Sequence, residues 1–350
     1  MPTPLKKILE KQTIEASAPC RIDSGGTWDI KALALPMEGV RPGTINVALN
    51  LRTRVVLSPF KEGWVRVSSQ GFSSGRQYEK AHLRFDPPLG LFFAAIAHFG
   101  FDGLHAHIAS EVPPKSALGG SSTALVALIK ALSKLRERLG GRKFPPREIL
   151  HLGFHLEDGV SGGGCGIQDQ GAAVYGGVNQ WVWHFSNRRR PFQRIPLMDA
   201  KGQRALSERI LVAFSGKDHA SAQINRGWIK DFLEARTRAG WIAANEKVKG
   251  LGAALASRDW ARAVHLLREE MAIRREITPD CLIPITAKLV DQAEAAGCGA
   301  RFAGAGSGGS VWALGDIDRI QALRSVWEQT LAPIRGGKLL DCAVDPKGAT

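Results

Sequence analysis

The segment Pro113-Pro114-Lys115-Ser116-Ala117-Leu118-Gly119-Gly120-Ser121-Ser122 runs straight into the most regular helical pattern of the chain. Leu125, Leu128, Ile129, Leu132, Leu135 and Leu139 recur at three- and four-residue spacing, which predicts a long buried helix closed by Gly140-Gly141. A glycine-rich turn at a helix start lets backbone N–H groups approach an anion, and the helix dipole favours negative charge there. Ser121 and Ser122 can cap the helix, or offer hydroxyls to phosphate oxygens or a magnesium ion. An ordinary cap after a loop fits the same residues, so residue type alone leaves both readings standing. The GxxxxGK[ST] pattern of a P-loop is absent here and elsewhere in the chain.

Two further glycine-bearing segments flank this one. Gly304-Ala305-Gly306-Ser307-Gly308-Gly309 formally matches GxGxxG, but the glycines of a dinucleotide site open a helix, and Ser310–Leu314 reads as strand. A tight turn joining two strands and packing on another loop is the better reading. Ala18-Pro19-Cys20-Arg21-Ile22-Asp23-Ser24-Gly25-Gly26-Thr27-Trp28-Asp29 sets an arginine and two acids around a Gly-Gly turn. By itself it fits a strand followed by a polar loop.

Between these landmarks the pattern is α+β, with strands and helices partly segregated. Residues 17–100 read mostly as strand, notably Ile45–Leu51, Thr53–Leu57 and Trp64–Val67, with a helix near Leu89–Phe99 and a strand at His105–Val112. Pro146–Glu157 is an expected helix leading into SGGGCGIQDQ, and Val174–Phe185 an expected strand. The polar, aperiodic stretch Arg188–Ser207 marks the expected boundary between domains at 1–195 and 205–350. The second half opens with a strand at Arg209–Phe214. Helices follow at Ala220–Ala239, Ala243–Ala256, Trp260–Arg275, Pro284–Ala296 and Ile317–Leu331, then a strand near Lys338–Val344.

Composition narrows the class. With 350 residues, 44% hydrophobic and 23% charged, the chain can bury one large or two medium cores. No apolar run approaches the ~20 residues of a membrane span, and the first residues have lysines but no apolar stretch, so a cytoplasmic protein is expected. Five scattered cysteines form no CxxC pair or zinc-spaced cluster. The net charge of +14 suits anionic small molecules such as ATP or a sugar phosphate. Its basic clusters do not interleave with aromatics, so neither nucleic acid nor membrane is an expected partner.

Taken together and in order, the three segments resemble the three motifs of the GHMP kinase superfamily. PPKSALGGSS is similar to the nucleotide loop P-x-x-x-G-L-G-S-S, ARFAGAGSGG to the C-terminal K-x-x-G-A-G-x-G-G with Arg301 in place of lysine, and APCRIDSGGTWD to the N-terminal motif. The nearest likeness is to the branch of bacterial heptose 7-phosphate kinases and L-fucokinases. Gln168-Asp169-Gln170-Gly171-Ala172-Ala173-Val174-Tyr175-Gly176-Gly177-Val178-Asn179 resembles its Q-D-Q-Y-A-A-x-x-G-G-x-N, and Pro42–Asn50 carries its glycine and asparagine-bearing strand.

The resemblance implies a two-domain fold, with a ribosomal protein S5 domain 2-like N-terminal domain and a ferredoxin-like C-terminal domain. It implies ATP and Mg2+, and a sugar or sugar phosphate as acceptor, heptose 7-phosphate ahead of fucose and galactose. Asp169 is then the base and Arg21 its partner at the transferred group. Pro114, Ala117, Leu118, Gly119, Gly120, Ser121 and Ser122 hold the nucleotide, and Ser121 and Glu157 the metal. Asp29, Gly26, Tyr175, Gly304 and Gly306 border the substrate, and a homodimer is compatible with the resemblance. The chain departs from the pattern in three places: the run from Arg21 to Asp29 is one residue shorter, Thr27-Trp28-Asp29 replaces G-T-D, and Ala117 and Gly120 replace glycine and serine. Rival readings are the superfamily's diphosphomevalonate decarboxylase, a catalytically silent sugar sensor, and a nucleic-acid-binding protein.

Overall fold

A computed structural model describes residues 4–70, 75–218 and 221–350. It begins with helix α1 (Pro4–Lys11), strand β1 (Ile14–Ser24) and a short helix α2 (Lys31–Ala34). Strands β2 (Gly43–Pro59), β3 (Trp64–Ser69) and β4 (Arg76–Glu79) follow, then α3 (Gly90–Phe99) and β5 (Leu104–Ser110). Helices α4 (Gly120–Arg138), α5 (Pro146–Ser161) and α6 (Gln168–Tyr175) lead into β6 (Val178–Trp183) and β7 (Phe192–Pro196).

The chain passes through α7 (Ala200–Ser207) into β8 (Ile210–Phe214) and four helices, α8 (Ser221–Leu233), α9 (Arg238–Ser257), α10 (Trp260–Ile277) and α11 (Pro284–Ala295). Strands β9 (Gly299–Phe302) and β10 (Ser310–Leu314), helix α12 (Ile317–Leu331) and β11 (Lys338–Leu340) complete it.

Two sheets result. The first has the order β4-β3-β5-β2-β6-β7, with β1 added to β2 as a seventh strand; the second is antiparallel, in the order β11-β8-β10-β9. The 17 residues of β2 organise the first sheet: one end pairs with β5 and the other with β6, while β1 lies antiparallel along its length. The β1–β2 register breaks between Pro19 and Cys20. Before the break Ile14, Ala16 and Ala18 join the core under α3–α6; beyond it Cys20 and Ile22 join a second core shared with the other sheet. Residues two apart share one face of a strand, so one face of β1 serves the first core before the break and the second core beyond it.

The sequence explains the layers. In α4 the periodic Leu125, Leu128, Ile129, Leu132 and Leu135 are all fully buried, between sheet and neighbouring helices. Each contributes about 1.5–3 kcal/mol, and truncating one to alanine costs about 2–5 kcal/mol. In the second sheet Val212, Phe214, Trp312 and Leu314 face the shared core, while the alternate Leu211, Ala213, Val311 and Ala313 face α11 and α12. That two-residue alternation of wholly apolar strands is what a sheet covered on both faces requires.

Several expectations change. Val174 and Tyr175 end helix α6 rather than begin a strand, because Gly176 and Gly177 both take positive φ and turn the chain before β6. The expected helix Ala220–Ala239 starts at a residue outside those described, and the rest divides into α8 and the start of α9 around Ala235, also at positive φ. The aperiodic Arg188–Ser207 contains β7 and α7. At the chain's end, β11 covers only Lys338–Leu340, and Val344 makes a single bridge to Leu49. Among the described residues no helix is long and apolar enough to cross a membrane.

Candidate functional site

The loop before α4 bends through three left-handed residues, Lys115 (φ 54°), Ala117 (φ 63°) and Gly119 (φ 78°). Two of these carry a Cβ in a region that L-residues avoid, a cost of roughly 1–2 kcal/mol each. The surroundings hold them there: Arg21 N–H donates to the Leu118 carbonyl at 3.1 Å, and Arg21 Nη1 to the Ala117 carbonyl at 2.6 Å. Gly119 stands at the N-cap of α4, with no side-chain cap, so neither serine serves as an N-cap. Among the described residues a Cβ on Gly120 would meet nothing within 4 Å. The helix start therefore faces open space.

Arg21 and Asp169 form the centre. Arg21 Nε donates to Asp169 Oδ1 at 2.7 Å and Nη2 to Oδ2 at 2.9 Å, a two-pronged pair. The arginine side chain is 5% exposed and the aspartate 23%. Burial opposes the Arg21 charge, but Asp169 and Asp23 outweigh it and raise the pKa above the ordinary arginine value. Asp169 sits in the first turn of α6, close enough to Gly119 that a Cβ there would lie 3.2 Å from its carboxylate.

Helix α6 is capped from a distance. The Asp29 carboxylate accepts from Gln168 N at 2.9 Å and from Thr27 N at 3.1 Å. Gly166 makes room for it, because a Cβ there would lie 1.9 Å from Asp29 Oδ2. Gln168 Oε1 in turn accepts from Asn46 Nδ2 on β2 at 3.0 Å. Burial pushes the Asp29 carboxyl up to about 6, opposed by the backbone N–H groups of Gln168 and Asp29 itself, with Asp169 and Asp23 adding to the rise.

Glu157, near the end of α5, has no cationic partner among the described residues. Gln170 Nε2 donates to it at 2.7 Å, and the nearby Ser121 and Ser122 hydroxyls favour its charged form. Burial pushes its carboxyl up to about 7, with Asp169 adding. Among the described residues no group of three or more His, Cys, Asp or Glu side chains could hold a metal ion. The donors present, one carboxylate and two hydroxyls, are hard oxygens that suit magnesium shared with phosphate oxygens rather than a metal caged by protein alone.

These groups border one cleft of about 640 Å³. Arg21, Asp29, Pro114, Ala117, Gly119, Gly120, Ser121, Ser122, Glu157 and Asp169 line it, with Gly304, Ala305 and Asn225 contributed by the second half. The turn between β9 and β10 packs on the loop before α4: a Cβ on Gly309 would lie 2.6 Å from the Ala117 methyl, and one on Gly304 3.1 Å from the Ala117 carbonyl oxygen.

Four residues expected at the site stand outside the cleft wall. Gly26 is buried with its carbonyl accepting from Arg274 Nη1, and Gly306 is pressed against the Cys281 carbonyl, where a Cβ would lie 2.2 Å away. Tyr175 lies at the far end of α6 from Asp169, against Trp181 and beneath the Arg194 guanidinium. Leu118 is a core residue that reaches the site only through its carbonyl. The sequence reading gave no role to Asp23 or Gln168. Period two along β1 places Asp23 on the face of Arg21, which is the signal that could have found it.

The family descriptions match both halves: GHMP kinases N terminal domain over residues 90–177 and GHMP kinases C terminal over 253–332. The chain thus carries matches to both GHMP kinase domains and has the two-domain GHMP kinase fold. It is 30% identical over 187 residues to the D-glycero-alpha-D-manno-heptose 7-phosphate kinase of Campylobacter jejuni, a match spanning 51% of this chain and 52% of that relative. The chain thus spans about half the length of that curated relative. Over nearly the whole chain it is similar in fold to the Lactococcus lactis galactokinase complexed with galactose, with a TM-score of 0.74, 18% identity, and coverage of 99% of this chain and 100% of that one. A D-glycero-D-manno-heptose 1-phosphate kinase from Bacteroides thetaiotaomicron is also similar, with a TM-score of 0.71, 19% identity, and coverage of 97% and 98%.

Proposed function

We propose that the chain is an ATP-dependent kinase that moves the γ-phosphoryl group of ATP to a hydroxyl of a sugar or sugar phosphate. D-glycero-D-manno-heptose 7-phosphate is the leading acceptor and its anomeric hydroxyl the leading site; fucose and galactose follow. Residues 1–195 are its ATP-binding domain and 205–350 its second domain. The observation that carries this reading is the two-pronged Arg21–Asp169 pair at the wall of a cleft, beside an uncapped helix start.

Asp169 accepts the proton of the attacking hydroxyl, its carboxylate held in place by Arg21 from behind. The Arg21 guanidinium stabilises negative charge developing nearby, which a preformed donor does without reorganising. The nucleotide phosphates rest against Pro114, Ala117, Gly119, Gly120, Ser121 and Ser122, where the open helix start supplies N–H groups. Ser121 and Glu157 hold Mg2+. When bound, the magnesium nucleotide supplies the phosphoryl group and neutralises its charge. Asp29, ionised above about pH 6, accepts hydrogen bonds from sugar hydroxyls while its backbone contacts keep α6 in place.

The test is ADP formation with heptose 7-phosphate, fucose, galactose, other hexoses and mevalonate, run beside Asp169→Asn. One sugar should be turned over, and the variant should lose about 10²–10⁴-fold in kcat while still binding ATP. ATP binding without turnover on any acceptor would favour the silent sensor instead.

A further inference from the structure

Behind the cleft lies a second set of charges. Arg301, on β9, is fully buried. Its Nη1 donates to the Asp23 carbonyl at 2.6 Å and to Asp23 Oδ2 at 2.8 Å, and its Nε to Glu270 Oε2 at 3.0 Å. The other Asp23 oxygen, Oδ1, accepts from Gly304 N at 2.7 Å and lies 3.5 Å from Arg21 Nη1. Arg21 is thus flanked by two carboxylates, Asp169 on the cleft side at 2.7 and 2.9 Å and Asp23 behind it at 3.5 Å.

A buried carboxylate with too few partners takes the nearest cation. Asp23 does not take Arg21 from Asp169 because Arg301 and Gly304 N already satisfy it. The charge that keeps Arg21 aimed at Asp169 therefore comes from the other half of the chain.

We propose that Arg301 is a positioning residue for phosphoryl transfer: by satisfying Asp23 it leaves the Arg21 guanidinium free to hold Asp169. This rests on the kinase reading above. It makes the second half a working part of the catalytic geometry rather than only a wall of the cleft. It also gives the Asp23–Gly304 bond a purpose, since the same carboxylate that Arg301 neutralises fixes the glycine turn against the nucleotide loop.

The experiment is a double-mutant cycle on the full chain, read as kcat, KM for ATP and thermal midpoint. Arg301→Met should lower kcat about 100-fold with KM for ATP changed less than about threefold, because Asp23 then draws Arg21 away. Adding Asp23→Asn removes the competing charge and should recover about tenfold of that loss. Arg301→Lys can still reach Asp23 but gives up Glu270, so it should lower the thermal midpoint while keeping kcat within about fivefold; it also serves should Arg301→Met not fold. Additive losses in the cycle, or a kcat that falls with the midpoint equally in the lysine and methionine variants, would overturn the proposal. Failure of the kinase reading looks different: the unmodified protein would turn over no acceptor, or Asp169→Asn would keep full activity.

Discussion

The two arginines that face each other across Asp23 do the same chemistry in opposite settings. Arg21 ends at the cleft, paired to a carboxylate that is 23% exposed; Arg301 is sealed between β1 and α10, with both of its carboxylates essentially unexposed. Around Arg301 the burial continues. Arg274 lies over the rings of Trp228, Trp241 and Phe302, and burial drops its pKa to about 10 despite Glu270 nearby. Among the described residues Arg274 Nη2, Arg301 Nη2 and Glu270 Oε1 have no hydrogen-bond partner. A buried ion cluster left partly unsatisfied is poor at stabilising a fold compared with apolar packing, so its worth lies in where it holds things. On the proposed reading the cleft pair acts, and the sealed cluster sets the angle at which it acts.

The strongest break of this contrast is on the sealed side. Glu270→Ala leaves two buried guanidinium groups short of a carboxylate, and should cost about 3–5 kcal/mol in chemical denaturation at an unchanged m-value. On the cleft side, Arg21→Met should cost about 10²–10³-fold in kcat, with a smaller loss of stability than Glu270→Ala. If the two variants lost stability and rate in the same proportion, the division of labour would be wrong. A smaller effect sharpens the picture at the capping carboxylate. Gly166→Ala forces a methyl group into Asp29 Oδ2, displaces the cap of α6 and should lower kcat/KM about 10–100-fold, whereas Gly164→Ala, with open space around its Cβ, should stay within about twofold.

How far the sequence foretells this follows from how local each feature is. Helix α4 was legible because its leucines repeat along one segment, and the strand–turn–strand around Gly304–Gly309 because its neighbours are apolar and β-like. Helix α6 was not: QDQGAAVY is buried almost all round and has no amphipathic period, and its cap is Asp29, 139 residues earlier. The same distance hid the sealed cluster, where Asp23 and Arg301 meet across 278 residues. The motif residues Arg21, Asp169 and the loop before α4 do converge on one cleft. Gly26 and Tyr175, assigned to substrate by resemblance, stand outside its wall, because one serves a buried arginine through its carbonyl and the other is the last residue of a two-turn helix that begins at the cleft.

The mildest effect separates the carboxylates by pH. Asp169 and Asp23 each have an arginine, but Glu157 has no cationic partner among the described residues, only the Gln170 amide and two nearby serines, and its carboxyl is raised from 4.5 to about 7, mainly by burial. A raised carboxyl binds its proton more tightly folded than unfolded, so the folded state is favoured most below about pH 4.5 and loses that advantage as pH rises through about 7. The loss is at most about 3 kcal/mol, and smaller because the group borders cleft water. Asp29, raised to about 6, contributes in the lower part of the same window. The thermal midpoint without nucleotide should therefore fall between pH 5 and pH 8, and Glu157→Gln should flatten the slope above pH 6 while leaving the part due to Asp29. With Glu157 in its proposed metal role, saturating magnesium and ATP should reverse the upper slope, since a metal ligand must be the carboxylate and binding then gains with pH. An identical slope in the glutamine variant would mean that Glu157 is not the titrating group, and a nucleotide affinity independent of pH from 6 to 8 would remove it from the metal site.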